Sequence, residues 1–85
     1  MDDIVIFADR SRHLVTIPYT RDALLAAADS LGIGRHWLHA DRDHAHIDIP
    51  KGRVTDVLGN PRVHVVTSRA ILAVTRRNDS KEASR

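Results

Sequence analysis

Three imidazoles and three carboxylates fall within the ten residues His39 to Asp48: His39, Asp41, Asp43, His44, His46 and Asp48. Imidazole and carboxylate are the side chains that exchange protons near neutral pH and bind borderline divalent metals. In an extended segment side chains alternate faces, so His44, His46 and Asp48 point one way and Ala45, Ile47 and Ile49 the other. Two imidazoles and one carboxylate on a single face form a divalent-metal ligand set, for zinc or manganese. Asp9 and His13 flank a short polar turn and could reach the same rim, and Asp41 or Asp43 could orient a liganding imidazole. His44, His46 and Asp48 are therefore the candidate metal ligands, with Asp9, His13, His46 and Asp48 as candidate catalytic residues. The same alternation also describes a half-exposed strand with its polar side in water, and that alternative stands beside the first.

Other catalytic patterns are missing. The chain has no cysteine, which removes disulfides, thiolate metal sites and cysteine nucleophiles. Its single glutamate is Glu82, and no His-Glu-x-x-His occurs. No serine lies in a Gly-x-Ser-x-Gly elbow. Gly32-Ile33-Gly34 follows a helical pattern and reads as a helix stop rather than a dinucleotide loop.

The elements that must position these groups follow from periodicity. Asp3–Ala8 is a β-branched and aromatic run that predicts a buried strand, and His13–Ile17 a second one ending at Pro18. The short polar link between them predicts an antiparallel hairpin. Thr20 is placed to cap a helix whose apolar residues, Ala23, Leu24, Ala27, Ala28 and Leu31, recur at helical spacing before Gly32. Ala26, Ala27 and Ala28 would let that helix approach a sheet closely. Arg35–His39 predicts a third strand, with Ile47–Ile49 a short extended piece. Pro50 opens a second helix lined by Val54, Val57 and Leu58. Arg62–Val66 is a further strand, and Ser68 is placed to cap a last helix carrying Ile71, Leu72 and Val74. The order β-β-α-β-α-β-α predicts an α/β domain with a small mixed, partly parallel sheet of about four strands and three helices. Residues 1–76 form that single domain, and 77–85 are expected to be a disordered polar tail.

At 85 residues the chain supports one core of slim stability. Hydrophobic residues are 42% and charged residues 28%, a globular balance. No stretch is long enough to cross a bilayer, so a cytoplasmic protein without a membrane partner is expected.

Taken in order, several pieces resemble the domain of unknown function 4031 family, a set of small bacterial and phage proteins. They are Ser11, His13 and Leu14; the alanine-rich helix ending at Leu31-Gly32; Arg35-His36-Trp37; the His-x-His-x-Asp element at His44, His46 and Asp48; and Thr67-Ser68-Arg69. The family tends to have tyrosine at the position of Ile47 and a longer segment before its His-Leu element. The resemblance spans about residues 11–75. It implies the same small fold, and a cytoplasmic setting that is the host's where the chain is phage-encoded. It implies no particular reaction.

Three functions are compatible with these residues. One is a metal-assisted hydrolase or nuclease-like enzyme. Another is a non-catalytic interaction protein that binds a host protein or its own copy. The third is nucleic-acid binding through Arg10, Arg12, Arg35, Arg42, Arg53 and Arg62, opposed by acidic neighbours and by few aromatic residues.

Overall fold

The computed structural model describes residues 3–39 and 44–83, with side chains described to residue 76. Five strands form one mixed sheet: β1 (Val5–Ala8), β2 (His13–Ile17), β3 (Leu38–His39), β4 (His46–Asp48) and β5 (Val63–Val65). Three α-helices accompany it: α1 (Arg21–Leu31), α2 (Val54–Leu58) and α3 (Ser68–Ala83). The spatial order is β3-β4-β2-β1-β5. Among the described residues β1 and β5 run parallel, and β1–β2, β2–β4 and β3–β4 are antiparallel. The α/β class and the partly parallel sheet thus agree with the sequence, with one more strand than expected.

The additional strand is β4, where a short extended piece at Ile47–Ile49 is expected and His46–Asp48 pairs into the sheet, while the strand expected at Arg35–His39 is shortened. Arg35–Trp37 instead forms a 3₁₀ turn, closed by the Trp37 N–H on the Gly34 carbonyl at 3.1 Å. The exposed Arg35 guanidinium also pairs with Asp29 of α1 at 2.9 Å. Extension begins at Leu38, and only Leu38–His39 joins the sheet. The helix expected from Pro50 also starts later: Lys51–Arg53 is a 3₁₀ turn that leads into α2.

The hairpin forms as expected. Asp9 N–H bonds the His13 carbonyl at 3.0 Å and Arg12 N–H the Asp9 carbonyl at 3.3 Å, a three-residue loop. Such loops place their last residue in the left-handed region, and Arg12 has φ of 73°. A side chain in that conformation is strained, and glycine or asparagine is the usual occupant.

Packing is organised around β2. Leu14, Val15 and Thr16 are successive and all buried, so both faces of the strand are covered. Both α1 and α3 pack against it. One face carries Ile6, Ala8, Leu14, Ile47 and Leu38 in cross-strand register. These join Leu24, Ala27, Ala28 and Leu31 of α1 in the core; Ala26 is exposed. Thr20 caps α1 through its hydroxyl on the Ala23 N–H at 3.1 Å. Gly32, at φ 72°, ends the helix by donating to the Ala28 and Asp29 carbonyls. The Arg53 guanidinium bonds the Leu31 and Gly32 carbonyls across the gap, satisfying groups the helix end leaves unpaired.

At the start of α3, Thr67 rather than Ser68 is the cap: its Oγ1 accepts the Ala70 N–H at 3.1 Å. Ser68 is thereby released for a different bond, described below. Helix α3 runs to Ala83. Among the described residues no helix is long and apolar enough to cross a membrane.

Candidate metal centre

The second face of the sheet gathers the chemistry. Antiparallel partners lie on the same side of a ladder, and the register pairs His39 with His46 and His13 with Asp48. His46 and Asp48 sit two apart on β4 with Ile47 between them facing the core. Three adjacent strands therefore deliver His39, His46, Asp48 and His13 to one small patch.

Asp9 anchors the patch from beneath. It is 1% exposed and follows β1 directly. Its Oδ1 accepts the backbone N–H groups of Ser11 (3.0 Å) and His13 (2.9 Å). Its Oδ2 accepts the Ser68 hydroxyl (2.6 Å) and faces His13 Nδ1 at 3.0 Å. Burial pushes the Asp9 carboxyl up, but the Ser68 bond, the His13 N–H and the His13 ring more than offset this. They hold it below the ordinary carboxylate value. Asp9 is thus a carboxylate, and as an acceptor it fixes His13 as the Nδ1–H tautomer. In that tautomer Nε2 is the acceptor nitrogen of the ring.

His46 is fixed the same way. Its Nδ1 lies 2.8 Å from the His44 carbonyl, which can only accept, so Nδ1 carries the proton. Its Nε2 then points at Asp48 Oδ1, 3.1 Å away. Ligand atoms of His13, His46 and Asp48 all lie within 4.8 Å of one another. The His13 and His46 rings meet edge to face, centroids 5.2 Å apart. The patch is half-open: the His46 side chain is 20% exposed and Asp48 32%.

Of the four candidate catalytic residues, Asp9, His13, His46 and Asp48 all meet here. His44 does not. It sits in the turn before β4 rather than in the strand, so the alternation that would align it with His46 has not begun. Its Nδ1 bonds Thr75 Oγ1 of α3 at 2.9 Å, and that hydroxyl donates to the Leu72 carbonyl. Among the described residues His13, rather than the expected His44, joins His46 and Asp48 in the candidate ligand group. Asp41, Asp43 and Arg42 lie outside the described residues.

Two participants escaped the sequence reading. Ser68 was expected only as a cap. His39 is expected at the end of the third strand and outside the candidate ligands, yet its Nε2 lies 2.8 Å from Asp48 Oδ2 and its ring stacks on His46 at 5.5 Å and 9°. Its position opposite His46 depends on the β3–β4 register, which no local pattern encodes.

Of the arginines named as a nucleic-acid surface, Arg35 is paired with Asp29 and Arg53 with Asp56 and two carbonyls. Of the two, Arg53 is tied to the helix end, and Arg35 sits in an exposed ion pair. No family model, curated protein or solved structure matches the chain.

Proposed function

We propose that His13, His46 and Asp48 bind a divalent metal ion, and that the protein is a metal-assisted hydrolase. One observation carries this reading. The Nδ1 atoms of both imidazoles face fixed acceptors, and one ligand atom from each of His13, His46 and Asp48 lies within 4.8 Å of the other two. Three electron-pair donors gathered this closely repel unless a cation lies among them. A proton could serve on His46 alone, but it would leave the His13 lone pair unused. A divalent ion uses all three.

The donor set suits a borderline metal such as zinc or manganese better than calcium or magnesium, which take mainly oxygen. Tetrahedral zinc sites place ligand atoms roughly 3.4 Å apart, from bonds of about 2.0–2.1 Å. The 3.1 Å between His46 Nε2 and Asp48 Oδ1 is already close to that edge. Three protein ligands leave a coordination position for water, as in catalytic zinc sites. A metal there would lower the pKa of the bound water to about 7 and polarise an ester or phosphoester oxygen. The chain's own part is to hold the ligands: Asp9 orients His13, and the His44 carbonyl orients His46.

The test is hydrolysis of chromogenic carboxylic esters and phosphodiesters by zinc- or manganese-loaded protein. The reading expects turnover that a chelator abolishes and that His46→Ala lacks. Equal rates for wild type and His46→Ala would contradict it.

A second reading, self-association, has its own support. β5 is an outer strand with Val65 41% exposed. Unpaired strand edges readily add a strand from another copy. Light scattering that gives a concentration-independent monomer would remove this reading.

A further inference from the structure

We propose that helix α3 clamps the metal centre through two positioning residues, Ser68 and Thr75, whose hydroxyls hold the partners of both liganding imidazoles. This inference rests on the metal reading above and assigns the outer support of that site. Each link is a hydrogen bond. The Ser68 hydroxyl donates to Asp9 Oδ2 at 2.6 Å. The same carboxylate bonds His13 at its backbone N–H (2.9 Å) and at its ring Nδ1 (3.0 Å). The Thr75 hydroxyl donates to the Leu72 carbonyl at 2.8 Å, so its single proton is committed. Its oxygen therefore accepts the His44 Nδ1–H at 2.9 Å. The His44 carbonyl in turn accepts the His46 Nδ1–H at 2.8 Å.

The helical period lets one element reach both partners. Ser68 and Thr75 are seven residues apart, close to two turns, so their side chains leave the same face about 10 Å apart. Ile71 lies between them on that face and is buried in the core, and Thr75 is itself 2% exposed. The helix packs on β2, the strand that carries His13. Asp9 follows β1 and His44 precedes β4, so α3 joins the supports of two imidazoles that arrive on different strands.

The consequence is coupling between ion and helix. Groups that support metal ligands fix their orientation, and losing them commonly lowers metal affinity by about 10–100-fold. Linked equilibria are reciprocal. An ion that binds best with both rings held must therefore favour the docked helix by the same factor. Opening of α3 and release of the ion become one linked event.

Zinc titration by calorimetry and backbone hydrogen exchange, both on the full chain, read the two sides of this coupling. Zinc should slow amide exchange along α3 as well as in β2 and β4. Ser68→Ala and Thr75→Val should each weaken zinc binding by about 10-fold, still with one equivalent at saturation. Thr75→Ser loses a buried methyl, and with it some stability, but keeps the hydroxyl and should bind zinc as tightly as wild type. Wild-type affinity in Ser68→Ala or Thr75→Val would overturn the clamp and leave the metal reading standing. So would a Thr75→Ser as weak as Thr75→Val, or α3 exchange that zinc leaves unchanged. A wild type that takes up no zinc would overturn the metal reading, and the clamp with it.

Discussion

Asp9 and His13 are four residues apart and face each other across the β1–β2 turn, carboxylate Oδ2 to ring Nδ1, at 3.0 Å. The turn that creates this contact is itself held by Asp9, whose Oδ1 accepts the Ser11 and His13 N–H groups. One buried carboxylate thus shapes the hairpin, ties α3 to it through Ser68, and sets the tautomer of an imidazole in the proposed ligand set.

Replacing that carboxylate should affect stability and site together. Asp9→Asn keeps the shape but loses the charge, and an amide cannot accept at all four bonds. A stability loss of about 1–3 kcal/mol is expected from donors left poorly satisfied. Zinc affinity should fall by about 10–100-fold. Urea denaturation and zinc titration measure the two effects.

The pH dependence has a definite sign. The folded carboxyl of Asp9 titrates below its unfolded value, which is about 3.9. Its contribution is therefore fully present above about pH 4 and is lost as pH falls through the folded value. The stability gap between metal-free wild type and Asp9→Asn should narrow on acidification below about pH 4. A gap that stays constant from pH 7 to pH 3 would show that Asp9 contributes no such linkage.

Arg12 holds the left-handed turn position with a side chain poorly suited to it. Asparagine tolerates this conformation and costs less unfolded-chain entropy than glycine. Arg12→Asn is expected to raise stability by about 0.5–1 kcal/mol, roughly 2–8 °C in melting temperature for a domain of this size. A β-branched replacement, Arg12→Val, should lower it. Thermal denaturation distinguishes the two.

His44 and His46 separate the strand from the turn. Because His44 is bonded to Thr75 outside the cluster, His44→Ala should keep one equivalent of zinc, whereas His46→Ala should lose it. Metal content after dialysis, measured beside the melting curve of each variant, gives the answer.

Much of the fold is legible in the sequence because strong local patterns encode it. Helix α1 announces itself through Thr20, five apolar residues at helical spacing and Gly32. The hairpin follows from two apolar runs with four polar residues between them. What local pattern could not supply was register. His13 reaches Asp48 through a pairing between strands far apart in sequence, and His39 meets His46 through the register of β3 on β4. The alternation that correctly put His46 and Asp48 on one face was carried one step too far to His44, because the strand begins at His46. Ser68 looked like a cap because Thr67, one residue earlier, offers the same hydroxyl.

Zinc titration by calorimetry, on wild type and on the double variant His13→Ala, His46→Ala, tests the metal centre most directly. One equivalent should bind the wild type and none the double variant. At a free zinc concentration about 100 times Kd the melting temperature should rise by on the order of 10 °C, from about 2.7 kcal/mol of linked stabilisation. Wild-type protein that takes up no zinc, or a double variant that binds it equally well, would contradict the account.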